Sequence, residues 1–285
     1  MKHNIIILIL CFVTGIGFSQ QKFNISSLVA DDIITYKTID TTKLHLHVFY
    51  PEGHSPKAKK PVIIFFFGGG WTKGAPEQFY AHCKHLSSKG MVAITVEYRV
   101  KTRNNTSPIE CVYDGASAVS WVKENATQLG IDPNKVVLGG GSAGGHIAAA
   151  IGTQAPICKE QKTALSTLPN ALVLFNPVFD NGPEGYGYSR VKEYWQDISP
   201  LHNIKKSTPP TIVFLGDKDH LIPVATAKKY KEKMESYGNR CELFVYEGQT
   251  HGFFNYRKIK GGKINPYYDK TIAETTRFLT SLGYL

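Results

Sequence analysis

The sequence predicts an α/β fold, a mostly parallel sheet covered on both faces by helices. Three observations lead there. Short continuous apolar runs, such as residues 62–67 and 91–96, have the character of strands buried on both sides. Helical stretches alternate with such strands to the C-terminus. The chain has 285 residues, 42% hydrophobic and 20% charged, which suits one large α/β domain with a full core.

The N-terminus stands apart. Lys2 and His3 form a polar head, residues 4–18 are almost wholly apolar, and Gly17-Phe18-Ser19 offers small residues where a signal peptidase reads. The expectation is a signal peptide over 1–19, a single domain over 20–285, and export to the periplasm or the extracellular space. The apolar run is short for a spanning helix, so no stable membrane insertion is expected after cleavage. Cleavage removes Lys2 and no acid, and the formal charge falls from +10 to +9. The Lys residues are scattered, without the basic-aromatic alternation of nucleic-acid binders, so no nucleic-acid partner is expected. Cys83, Cys111, Cys158 and Cys241 would remain; an oxidising compartment permits disulfides among them, in any of three connectivities. None has metal-ligand spacing.

The elements follow in order. Residues 33–39 and 44–50 read as strands, the second with His45, His47 and Phe49 on one face; both histidines are expected at the surface. Next come strand 62–67, helix 78–88, strand 91–96, amphipathic helix 109–125, a short strand 136–138 and a small-residue helix 143–152. Strands 171–175, 211–215 and 241–246 and helices 224–237 and 270–282 complete the pattern. Residues 176–207, rich in Gly, Pro and Tyr, break it; an irregular insert of this length is expected to be a lid or binding loop.

The chemistry lies in the loops after the strands, where open α/β sheets bind ligands. Gly140-Gly141-Ser142-Ala143-Gly144 has the G-x-S-x-G spacing between a strand and a small-residue helix, which places a serine oxygen on a sharp exposed turn. Gly68-Gly69-Gly70-Trp71 follows strand 62–67, and glycines there let backbone N–H groups turn toward a developing oxyanion. Asp217 and Asp219 follow strand 211–215, and His251 follows strand 241–246. Ser, then an acid, then His is the order of a nucleophile, orienting group and base on such a sheet. This chemistry needs no cofactor and no metal.

These motifs together, with Glu97-Tyr98-Arg99, the stretch from Gly216 to Pro223 and Thr250-His251-Gly252-Phe253, resemble the hormone-sensitive-lipase-like esterases of the α/β-hydrolase fold, nearest to secreted acetyl-esterase and feruloyl-esterase-like members. The resemblance runs from about Thr42 to the C-terminus. It implies Ser142 as nucleophile, His251 as base and Asp219, not Asp217, as orienting acid. It implies an oxyanion hole from the N–H groups of Gly69, Gly70 and Ala143. The function implied is a secreted carboxylesterase acting on short acyl or aryl esters, with acetyl or feruloyl groups on polysaccharides as candidate substrates. Trp71, Tyr186, Trp195 and Phe253 are candidate pocket walls, and Arg99 with Asp114 a bracing pair. One departure stands out: the family usually has His before the glycines, and Phe67 stands there instead. The expectation is that Phe67 supports the loop by packing. Rival readings are a prolyl-oligopeptidase-type peptidase, which usually has an aromatic residue where Ala143 stands, a formamidase-like amide hydrolase, and a hydrolase-fold binding protein without activity.

Overall fold

The pleat of the strands divides the side chains between two cores. In the computed structural model, which describes residues 28–153 and 167–285, an eight-stranded sheet has the order β1-β2-β4-β3-β5-β6-β7-β8. The strands are β1 (Asp32–Ile39), β2 (Thr42–Phe49), β3 (Lys60–Phe66), β4 (Val92–Val96), β5 (Ile131–Gly141), β6 (Ala171–Phe175), β7 (Thr211–Gly216) and β8 (Cys241–Tyr246). β1 and β2 pair antiparallel, as do β2 and β4, and the rest of the sheet is parallel.

Among the described residues ten α-helices cover or connect the strands: α1 (Tyr80–Ser88), α2 (Lys101–Asn104), α3 (Pro108–Glu124), α4 (Ala126–Leu129), α5 (Ala143–Gly152), α6 (Tyr188–Val191), α7 (Trp195–Ile198), α8 (Pro200–Asn203), α9 (Val224–Ser236) and α10 (Pro266–Ser281). Ile64 and Phe66 of β3, with Ile94, Leu138 and Leu174, face the core shared with α3, α5 and α9. The alternate residues Ile63, Phe65, Ala93, Val137 and Val173 face the core shared with α1 and α10. Burial on both faces explains why the central strands read as continuous apolar runs.

Boundaries moved where local chemistry outweighed the apolar pattern. α10 begins at Pro266, four residues before the expected start, because Asn265 caps it by accepting from the Tyr267 N–H and proline suits the first turn. α3 opens on a capping box between Ser107 and Glu110. β5 begins at Ile131, and its pairing with β3 is irregular between Lys60 and Val62 before the expected stretch from Val136. The signal segment and Cys158 lie outside the described residues. Cys83, Cys111 and Cys241 are buried free thiols.

The expectation for the two histidines of β2 is corrected. His47 is 6% exposed and His45 only partly exposed, because β2 is an inner strand between β1 and β4. Glu97, just past β4, bonds both: its Oε2 lies 2.7 Å from His45 Nδ1 and its Oε1 3.3 Å from His47 Nε2. The other His47 nitrogen meets the Tyr80 hydroxyl at 2.6 Å. Arg99 and Asp114 do form the expected brace, a bidentate pair at 2.8 and 3.0 Å.

Burial by itself would raise the Glu97 pKa, but the hydrogen bonds from His47 and His45 outweigh it and bring it from 4.5 down to about 2. A depressed carboxylate adds stability above its unfolded pKa, and this is lost as pH falls through the folded value. Glu97→Gln should therefore melt below wild type at pH 5–6, with the gap closing between pH 4.5 and about 2. Thermal melts at stepped pH measure this; a gap that persists at pH 2 contradicts it.

Candidate active site

The site is organised by a turn that only small residues permit. β5 runs into Ser142, which holds φ 54° and ψ −119° as the chain enters α5. A side chain in such a conformation costs about 1–3 kcal/mol, so the surroundings must hold it. The Ser142 N–H donates to the Phe175 carbonyl at 2.9 Å. A Cβ on Gly144 would stand 2.0 Å from the Phe66 carbonyl oxygen, and one on Gly140 2.5 Å from the Gly144 backbone. Glycine at both lets α5 start directly against the end of β3.

Two loops bring the partners. Ser142 Oγ lies 2.9 Å from His251 Nε2, and His251 Nδ1 lies 2.7 Å from Asp219 Oδ2. The other oxygen of Asp219 accepts the N–H groups of Leu221 and Ile222 at 2.8 and 3.0 Å. Burial pushes the Asp219 pKa up, but the bonds from His251, Ile222 and Leu221 together hold it below the usual value. A buried, ionised Asp219 fixes the proton on Nδ1 and leaves Nε2 free to accept from the serine. Asp217 does other work: its Oδ1 accepts the Gly248 N–H at 2.7 Å and ties the β7 loop to the turn before His251.

Opposite Ser142 lies the glycine loop. Gly69 and Gly70 have φ of 123° and 63°, and a Cβ on Gly69 would strike the Lys73 carbonyl oxygen at 2.0 Å. The Gly68 N–H is held by Gln78 Oε1 at 2.6 Å, Gln78 Nε2 donates to Asn255 Oδ1 at 2.9 Å, and Asn255 Nδ2 donates to the Gly252 carbonyl at 2.8 Å. This chain joins the glycine loop to the loop of His251. The N–H groups of Gly69, Gly70 and Ala143 donate to no acceptor among the described residues. Beneath the loop, Phe67 is fully buried and stacks on Tyr98 at 4.0 Å, whose hydroxyl donates to the Phe67 carbonyl. Phe67 packs in the core under the glycines.

A serine on a strand-to-helix turn, bonded to a histidine and a buried acid beside free backbone donors, is the arrangement of one superfamily, and residues 63–255 match the family described as alpha/beta hydrolase fold. The chain belongs to the α/β hydrolases. Esterase LipC of Mycobacterium tuberculosis is 27% identical over 221 residues, 70% of this chain and 54% of that protein. Acetylxylan esterase of Xylanibacter ruminicola is 27% identical over 264 residues, 87% of this chain and 50% of that protein. The chain thus spans about half the length of the curated relatives it matches. A solved structure of esterase 2 from the planctomycete Thermogutta terrifontis with propionate bound superposes with a TM-score of 0.82 at 38% identity, covering 91% of this chain and 97% of that one. These relatives agree with the hormone-sensitive-lipase-like resemblance.

The hydrolase cavity has a volume of about 320 Å³ and reaches Ser142, His251 and the three glycines. Of the four expected wall residues only Tyr186 lines it. Trp71 is 1% exposed, edge-on to His146, and lines a neighbouring hollow instead. Phe253 is buried against Tyr246 and Tyr267, and Phe254, stacked on Phe175, takes the wall. Trp195 packs edge-on to His202. The insert supplies Tyr186 and Arg190 to the wall, and His146 on α5 meets the Ile198 carbonyl of the insert at 3.1 Å.

Asn176 escaped sequence reasoning. It is fully buried, with its side-chain amide nitrogen 3.3 Å from both nitrogens of the His251 ring, while its Oδ1 is unpartnered among the described residues. Both ring nitrogens are already engaged by Asp219 and Ser142. Turned the other way, the amide would set Oδ1 against the C–H edge between them.

Two outcomes are expected for the rate at which a fluorophosphonate probe labels Ser142. Asp219→Asn should slow labelling by about a thousandfold or more through loss of tautomer control. Asp217→Asn keeps an oxygen for Gly248 and should stay within about fivefold of wild type; the reverse ranking contradicts the assignment of the acid. Asn176→Ala should slow labelling about tenfold, on the order of one hydrogen bond in the transition state, without lowering the melting temperature to match. Wild-type labelling in Asn176→Ala would remove the residue from the site.

Proposed function

We propose that the protein is an exported serine carboxylesterase acting on short acyl esters. The observation that carries this reading is the unbroken relay from Asp219 through His251 to Ser142 at the base of a cavity whose wall also holds Gly69 and Gly70. Ser142 Oγ attacks the ester carbonyl as His251 Nε2 takes its proton. The carbonyl oxygen, now negative, lies against the N–H groups of Gly69, Gly70 and Ala143; each such donor contributes about 3 kcal/mol to the transition state. His251 returns the proton to the leaving alcohol. A water then attacks the acyl-serine, giving its proton to His251, and the acid departs as Ser142 regains its proton.

A cavity of about 320 Å³ suits a small acyl group, and a similar esterase structure is described with propionate bound. Similarity to an acetylxylan esterase supports acetyl esters, including those on polysaccharides. The apolar N-terminal run supports export to the periplasm or beyond.

Hydrolysis of para-nitrophenyl esters of increasing chain length, beside acetylated and feruloylated oligosaccharides, tests this. The acetyl and propionyl esters should be cleaved best, and kcat/KM should fall with longer chains. Ser142→Ala should lower kcat about a millionfold while the melting curve stays in place. Residual turnover within tenfold of wild type would sink the assignment.

A further inference from the structure

Beside the hydrolase cavity lies a second hollow of about 400 Å³ that shares Gly70, Thr72 and Arg190 with it. We propose that this hollow is a subsite for a carboxylate carried by the ester substrate, held by Arg190 and Lys101. The proposal rests on the esterase reading and adds the class of substrate.

Arg190 stands where the two cavities meet and makes three contacts. Its guanidinium carbon lies 4.9 Å over the Trp71 ring and 5.2 Å over the Tyr186 ring, and Nη1 donates to the Gly70 carbonyl at 2.8 Å. A guanidinium carries five in-plane N–H donors, and among the described residues only the Gly70 carbonyl accepts from this one. The two rings lie 5.8 Å apart, so both meet the guanidinium from one side and leave its remaining N–H groups to a planar, bidentate acceptor, which a carboxylate is.

Lys101 supplies a second cation in the wall of the hollow, and no ion pair among the described residues includes it. Neither cavity has Asp or Glu in its wall. Glu110, one turn into α3, directs its carboxylate to the N–H and hydroxyl of Ser107 and so closes the helix cap. Unpaired cations are common on open surfaces, where solvent screens them. Arg190 and Lys101 are themselves exposed, but Arg190 stands at the mouth of the reactive cavity and is bonded to a glycine of the oxyanion loop. The remaining wall, with Thr72, Asn105, Ser107 and Ser189, adds hydroxyl and amide groups suited to a polar substrate.

The test compares charged and neutral esters of matched shape. With charge on the alcohol, the pair is meta-acetoxybenzoate and meta-acetoxybenzamide. With charge on the acyl group, the pair is the para-nitrophenyl half-ester of glutarate and its methyl ester. The intrinsic reactivity of each leaving group cancels when the charged-to-neutral ratio of kcat/KM is compared between proteins. In at least one pair, Lys101→Gln should lower that ratio about fivefold at low ionic strength, Lys101→Arg should keep it, and raised salt should erase the difference. The pair that responds shows which half of the ester enters the hollow. Ratios unchanged by Lys101→Gln and by Arg190→Gln in both pairs overturn the subsite while leaving the esterase reading intact. If wild type cleaves none of the four esters, the esterase reading has failed, and calorimetry decides the subsite: binding of meta-hydroxybenzoate or glutarate that Lys101→Gln weakens supports it, and no binding overturns it.

Discussion

The whole site hangs on one backbone contact, the first turn of α5 laid against the end of β3. The Phe66 carbonyl sits where a Cβ of residue 144 would be, so the nucleophile turn and the glycine loop come together only while that position is glycine. A side chain there would push α5 off the sheet and separate Ser142 from the glycine loop that shares its cavity. The same approach recurs at Gly68, where a Cβ would lie 3.0 Å from the Gly141 carbonyl oxygen. Reactive geometry here is a matter of missing side chains as much as of those present.

Given that contact, hydrogen bonds between loops set the finer distances. The Gln78–Asn255 bridge spans from Gly68 to the carbonyl beside His251, so the glycine loop and the imidazole are referred to each other and not only to the sheet. Asp217 performs a similar service between the β7 and β8 loops. Asp219 is the costliest group of the set, a buried carboxylate that two backbone N–H groups and an imidazole satisfy. Strand ends supply the rough placement and these polar links the rest.

Much of this was legible in the sequence because it is local. A glycine-rich turn between a β-run and a small-residue helix needs no tertiary knowledge to be read, and the double apolar runs announce strands covered on both sides. What stayed hidden depends on which way a single loop residue faces. Phe253 and Phe254 are chemically the same, and only the folded turn after His251 turns the second toward the cavity. Gln78, Asn176 and Asn255 carry no spacing signal, since each joins loops that meet only in the fold. His47 was misread because an alternating strand looks half-exposed, and the sequence does not announce that Tyr80 and Glu97 cover its polar face.

Phe67 has a consequence of another kind. The family pattern that the motifs resemble has a histidine, a titrating group, where Phe67 stands. Here that footing is a phenyl ring on Tyr98, whose hydroxyl burial pushes far above its ordinary range, and neither ring changes charge as the medium acidifies. The donors of Gly69 and Gly70 therefore rest on the same support in acid as at neutrality. The glycine loop thus stands on a footing that exchanges no proton, and acid reaches it through neighbours such as Glu97, the residue before Tyr98.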